Sequence, residues 1–217
     1  MKKKTYRLNW KGLTKCILLG CVLLAGACLP EFRNGLPRDP GVQTYDRLAG
    51  SWYCVTENDR QELSIYPRKS GWVDIVYVYD IESSTSRDGI NVLVFEGYSV
   101  TLGEDRLMCF RLRKKDFGKT KADSDPKQFS FLMARYSMPD EEELIIENFS
   151  VEKVKRLVDE GKLEGEVFER APAEGRFFPG VVVTSPSEKL GTVISEQGVE
   201  EFIGDGPYGR MTFLRKR

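Results

Sequence analysis

From Gly50 onward the chain is a succession of short segments rich in β-branched and aromatic residues, parted by turn formers. Ser51–Glu57, Glu62–Pro67, Trp72–Ile81, Ile90–Leu102, Arg106–Lys114, Gln128–Ser137 and Glu142–Phe149 all read as strands. Several alternate cleanly, with Val73, Ile75, Tyr77 and Tyr79 on one side of one segment and Phe129, Phe131 and Met133 on one side of another. Gly103-Glu104-Asp105 is a hairpin turn by composition. Connections of a few residues between such segments describe an antiparallel meander, and enough strands close it into a barrel. The fold class expected is therefore mainly β, with two helices added. Ser150 caps one through about Glu160, with Val151, Val154, Leu157 and Val158 on one face and Gly161 as terminator. Ser185-Pro186-Ser187-Glu188 opens the other as a capping box, with Leu190, Val193 and Ile194 inward and Gly198 at its end. Arg210–Arg215 returns as a strand.

Residue content removes several kinds of chemistry. The chain has no histidine, which excludes Ser-His-Asp and Cys-His nucleophilic sites and every histidine-containing zinc site. Carboxylate chemistry needs only two acids at the right separation. The conspicuous acidic clusters, Asp123-Ser124-Asp125 and Asp140-Glu141-Glu142-Glu143, lie beside turn formers and read as solvated loops. No phosphate-cradling glycine motif occurs. Residues 1–27 hold six of the 33 basic residues and none of the 33 acidic ones, so the remainder carries 27 against 33, a net of −6. Without a basic tract, nucleic acid is not an expected partner. The reading is of a protein that is not an enzyme and holds no cofactor and no metal.

The N-terminal region has the form of an export signal. Lys2, Lys3, Lys4, Arg7, Lys11 and Lys15 precede the apolar Ile17–Leu24 and the small residues Ala25-Gly26-Ala27 before Cys28. About eleven uncharged residues give about 16 Å of helix, half of what a bilayer core demands. Leu24-Ala25-Gly26-Ala27-Cys28 resembles the lipobox of bacterial lipoproteins, whose cysteine becomes a diacylglyceryl-modified N-terminus. The large aliphatic residue usual three places before the cysteine stands here one place further back, at Leu24. Cys21, after Leu18-Leu19-Gly20, fits that pattern but leaves too short an apolar run. Cys28 is taken as the lipidation site, an ordinary secretory signal being the alternative. The resemblance implies a membrane partner through the lipid anchor, and Leu29 after the cysteine implies an exported protein on the outer membrane facing the periplasm. The domains expected are a signal at 1–27, a lipidated cysteine and flexible tether at 28–45, rich in proline and glycine, and a barrel at 46–217.

Cys54 and Cys109 belong to the domain. An exported compartment permits a disulfide between them. Strand parity argues against it, because Cys54 shares a face with Trp52 while Cys109 alternates against Met108, Phe110 and Leu112.

Leu48-Ala49-Gly50-Ser51-Trp52-Tyr53 places a Gly-x-Trp at the opening of the first strand. With a meander behind it and a helix before the last strand, the chain resembles the lipocalin or calycin plan, and an uncharacterised lipocalin-like group of bacterial lipoproteins in particular. The resemblance implies that Trp52 plugs one end of the barrel and that a last-strand cation, Arg215 or else Arg210, packs over its indole. It supplies no activity. Two functions stay open: a module binding one small apolar or amphipathic ligand inside the barrel, and an interaction or structural lipoprotein with a filled barrel that meets another envelope protein. For the first, the lining is expected from Ile75, Tyr77, Tyr79, Phe129, Phe131 and Met133, with Arg135 meeting an anionic head group at the mouth.

Overall fold

Alternation in one segment is satisfied by a neighbour that continues its ladder, and from Gly50 to Asn148 each strand finds that neighbour next in sequence. The computed structural model describes residues 29–38, 45, 47–55, 59–81, 90–113, 130–168, 180–205 and 209–216. The barrel strands are β2 (Gly50–Val55), β3 (Asp59–Pro67), β4 (Val73–Ile81), β5 (Ile90–Leu102), β6 (Asp105–Leu112), β7 (Leu132–Ser137), β8 (Glu143–Asn148) and β11 (Arg210–Arg215). They pair antiparallel in that order, and β11 returns to β2 through Leu214–Tyr53 and Arg215–Trp52 to close an eight-stranded barrel. The β5–β6 connection is a two-residue turn with Gly103 at φ +61°, the conformation a Gly-X hairpin needs.

Between β8 and β11 the chain builds a second layer. It contains α1 (Val151–Asp159), β9 (Gly165–Val167), β10 (Val181–Val183) and α2 (Ser187–Gln197), followed by a short 3-10 turn at Val199–Glu201. The Ser150 hydroxyl caps α1 by accepting from the Lys153 N–H at 3.3 Å, and Gly161 at φ +71° ends it. Leu190, Val193 and Ile194 of α2 are buried, as their spacing predicts. Its start differs from the expected capping box. Pro186 stands at the cap position with no side-chain hydrogen bond, and the buried Ser185 hydroxyl instead accepts the Glu164 N–H at 2.7 Å, tying the helix entry to the strand β9. Among the described residues no helix is long and apolar enough to cross a membrane.

The largest departure from the sequence reading is at residues 29–38, taken above as tether. β1 (Glu31–Phe32) pairs parallel with Val182–Val183 of β10, which in turn pairs with β9. Phe32 and Leu36 are buried, and the Tyr98 hydroxyl donates to the Leu36 carbonyl at 2.8 Å. A Cβ at Gly35 would collide with that hydroxyl, so the glycine serves close approach rather than looseness. Proline and glycine content describes a chain without helix or ladder. It does not reveal that two large apolar residues within it have a wall to pack on.

Two apolar cores result. One lies inside the barrel around Trp52, Ile65, Val73, Phe95, Met108, Leu144 and Phe213. The other lies outside it, where Tyr98, Val100, Leu107, Cys109 and Met133 on the outer wall of β5–β7 meet β1, β10 and both helices.

Candidate functional site

The barrel has two unlike ends. At the end where β2 begins, Trp52 is fully buried and its indole N–H donates to the Leu48 carbonyl at 3.0 Å. The Arg215 guanidinium sits 4.2 Å over the indole ring. It also donates to the carbonyls of Glu141 (2.6 Å), Ala49 (3.0 Å) and Arg47 (2.5 Å), which joins the β7–β8 connection to the chain before β2. The other cation considered, Arg210, starts the same strand at its opposite end and lies 3.8 Å from Glu147. We expect Arg215→Ala to cost about 1–3 kcal/mol in urea unfolding, from the cation–π contact and from carbonyls returned to water, while Arg210→Ala stays within about 0.5 kcal/mol.

Tyrosines complete the seal. The Tyr45 hydroxyl donates to the Gly71 carbonyl at 3.0 Å and accepts the Ser99 N–H at 2.8 Å. It thereby serves backbone groups beyond the start of β4, where the ladder with β5 has stopped. Ser99 Oγ and the Tyr136 hydroxyl share a hydrogen bond of 2.8 Å, and burial pushes the Tyr136 phenol up from its ordinary value. Among the described residues no buried side-chain polar atom lacks a partner, so this end is a closed floor.

At the other end the interior face continues as Cys54, Tyr77, Leu93, Leu112, Leu132, Ile146 and Met211, all half-buried and packed against the barrel core. Gln61 is buried among them and accepts the Tyr77 hydroxyl at 2.8 Å. Among the described residues this ring is apolar apart from the Cys54 thiol and the Tyr77–Gln61 hydroxyl–amide pair.

The residues expected to line the interior divide. Ile75 and Tyr77 face inward, Ile75 as buried floor and Tyr77 as part of the ring. Phe129 and the side chain of Tyr79 lie outside the described residues, as does Cys28. Phe131 and Met133 face the other way. Met133 is buried in the outer core, and Phe131 pairs with Phe32, packs edge-on to Tyr98 at 5.9 Å and lies beneath the Arg111 guanidinium at 5.2 Å. The interior residues of β7 are Leu132, Ala134 and Tyr136, in register with Phe110, Met108 and Ile146. β7 is apolar on both faces because both are covered, and periodicity alone cannot rank them. Arg135 shares the outer face. It binds Glu147 at 2.7 Å, Asp105 at 3.3 Å and Glu200 at 2.5 Å, so it clamps the 3-10 turn onto the outer wall and does not stand on the interior face where it was expected. Residues missed by sequence reasoning, such as Leu132 and Met211, are single apolar positions that only the register places on the interior, whereas the apolar face read for Met108, Phe110 and Leu112 is the interior one.

Both domain cysteines are free. Cys54 faces the barrel interior and Cys109 the outer core, as parity predicts. Burial pushes the Cys109 thiol up to about 12 from an ordinary 9.0, and the Cys54 thiol up in the same direction. A folded-state thiol that holds its proton more tightly than the unfolded one contributes stability below about pH 9 and loses it as pH rises toward 12. Unfolding free energy is therefore expected to fall across that window, and to fall less in Cys109→Ala. At pH 8 a maleimide should reach Cys54 slowly and Cys109 only after denaturation.

Asp140, in the acidic run between β7 and β8, accepts the N–H groups of Glu142 (2.7 Å) and Glu143 (2.9 Å), a local turn on an exposed loop. Asp123 and Asp125 lie outside the described residues. Taken together, strand order, closure and the plugged end define a lipocalin-like antiparallel barrel with two helices packed on its outer wall. Comparisons with protein-family models, with curated proteins and with solved structures find no match.

Proposed function

We propose that the protein is a non-catalytic lipoprotein of the cell envelope, related to the lipocalins in plan, that is tethered to a membrane through Cys28 and holds one small apolar or amphipathic ligand in the unplugged half of its barrel. The observation that carries this reading is the gradient along the interior, from a fully buried floor at Trp52 to the half-buried apolar ring of Leu93, Leu112, Leu132 and Met211. The absence of histidine and the partnered state of the floor hydroxyls favour binding over catalysis. Leu29 after that cysteine favours an outer-membrane address.

Organic extraction of the purified protein is expected to release one apolar compound per chain beyond the acyl groups on the cysteine. Leu132→Arg should reduce that yield at least tenfold, about 1.4 kcal/mol or more, because the guanidinium must lose water to share the ring with an apolar molecule. Glu104→Arg, on the hairpin at the plugged end, should leave the yield unchanged, and a thermal melt of each variant separates lost binding from lost fold. An extract without such a compound from well-folded protein would leave the filled barrel and an envelope-protein partner as the function.

A further inference from the structure

A strand in a solvated antiparallel wall turns polar side chains outward, as β3 does with Glu62 and Ser64 and β11 with Arg210 and Thr212. On β4 and β5 the outward face is instead apolar. Val76 lies opposite Val94 and Val78 opposite Val92, all alternating with the interior residues Ile75, Tyr77, Leu93 and Phe95. Val92 is 55% exposed, the other three are half-buried, and none of the four packs against either apolar core. Further along β5 the same outward face continues as Tyr98 and Val100, and there it is covered by β1, β10 and both helices.

A rung of charge separates the covered part from the uncovered one. Asp74, Glu96 and Arg111 stand opposite one another across β4, β5 and β6. Arg68 bonds Asp74 at 2.8 Å and approaches Glu96 at 3.6 Å, Arg111 bonds Glu96 at 2.8 Å, and Arg113 reaches Asp74 at 3.2 Å. Three guanidiniums thus share two carboxylates, about fifteen N–H donors against about eight acceptor positions, and each arginine is about a third exposed. Arg111 is fixed between two rings, 5.4 Å from Trp72 and 5.2 Å from Phe131. Arg113 flanks the valines directly, its N–H bonding the Val94 carbonyl at 2.9 Å.

Size and backbone pairing decide what fits. From β3 to β6 the face is about 14 Å wide, and from the charged rung to Val78 about 13 Å long, or about 200 Å². That is a quarter of the roughly 800 Å² per partner of a stable interface between two folded chains, which argues against a second copy of this barrel. Both edges of β4 and β5 are already paired inside the closed ladder, so an extended segment finds no strand edge to join. A helix, about 10 Å across, needs neither the area nor the edge. We propose that this face is the docking site for a short amphipathic helix of a partner protein, with its apolar stripe on the four valines and a border of Asp or Glu side chains on Arg111 and Arg113. The barrel wall then receives from outside the kind of cover that α1 and α2 give to its neighbouring half.

The test uses the purified full-length protein and a fluorescent helical peptide of about 14 residues with a leucine stripe, bordered on one side by glutamate or, in a second peptide, by lysine. The glutamate peptide is expected to bind at least tenfold more tightly than the lysine one. Val92→Lys should weaken it at least tenfold, Arg113→Glu should reverse the preference, and Thr212→Lys on the polar wall of β11 should change nothing, with a thermal melt of each variant confirming the fold. No binding, equal affinity for the two peptides, or binding indifferent to Val92→Lys overturns the site. In cells that make the protein, p-benzoylphenylalanine in place of Val92 should crosslink to an acidic-bordered helical segment of another protein, and in place of Thr212 should not. Adducts with lipid or with a second copy of the chain, equal adducts from both positions, or none from Val92 overturn the choice of partner. Each outcome reads the same whether or not the barrel interior holds a small molecule.

Discussion

Trp52→Ala is expected to lower the unfolding free energy by about 3–5 kcal/mol, the largest effect of any single truncation in the barrel. The indole is fully buried, bonded to the Leu48 carbonyl and covered by Arg215. Its removal therefore does three things at once. It opens a cavity in the barrel core, frees the Leu48 carbonyl from its donor, and leaves the Arg215 guanidinium over empty space. Relaxation cannot refill the gap cheaply, because the surrounding residues belong to strands whose register is set by the closed ladder. Urea unfolding followed by far-ultraviolet circular dichroism gives the number. A loss below about 1.5 kcal/mol would mean that the plugged end collapses around the missing ring and that Trp52 is not what seals it.

The second large effect is expected outside the barrel. Phe32→Ala should cost about 3–5 kcal/mol, although the residue lies in a stretch whose composition reads as linker. Its ring is fully buried in the outer core and meets Phe149 edge-on at 6.1 Å. Its backbone joins β7, and its strand joins β10. Loss of the ring should loosen the whole segment from residue 29 to 38, so limited proteolysis there should quicken before the barrel unfolds. Protection of the segment in the variant at the wild-type level, with an unfolding free energy within about 1 kcal/mol, would return it to the status of tether.

What the sequence disclosed and what it withheld divide along a physical line. Signals that depend on a residue and its immediate neighbours were readable: the meander of short strands, the Gly103 turn, the Ser150 cap, the inward stripe of α2. The pairing of Trp52 with Arg215 was readable only through a resemblance, since nothing local links positions so far apart. Signals that depend on what covers a face were not. Phe131 and Met133 alternate as well as Ile75 and Tyr77 do, yet one pair faces the outer layer and the other the interior. The same limit hid β10, where Val181-Val182-Val183 is apolar on both faces because it is sandwiched, and gave Ser185 a cap role when its hydroxyl serves Glu164. The apolar ring at the mouth shares this limit, being assembled one residue per strand.

The seam of the barrel has a consequence for how the chain comes into being. Seven strands form from neighbouring hairpins, but the join between β2 and β11 brings together residues as far apart as Ala49 and Arg215, 166 positions along the chain. Synthesis delivers β11 after everything it must join. Until then β2 and β8 are unpaired edges with apolar side chains facing solvent, and the entropy of closing so long a loop is met only at the end. Assembly is thus all or nothing at its final step. A nascent chain lacking Arg210–Arg215 is an open, aggregation-prone sheet rather than a slightly shortened barrel, and it needs shielding for as long as those six residues are missing.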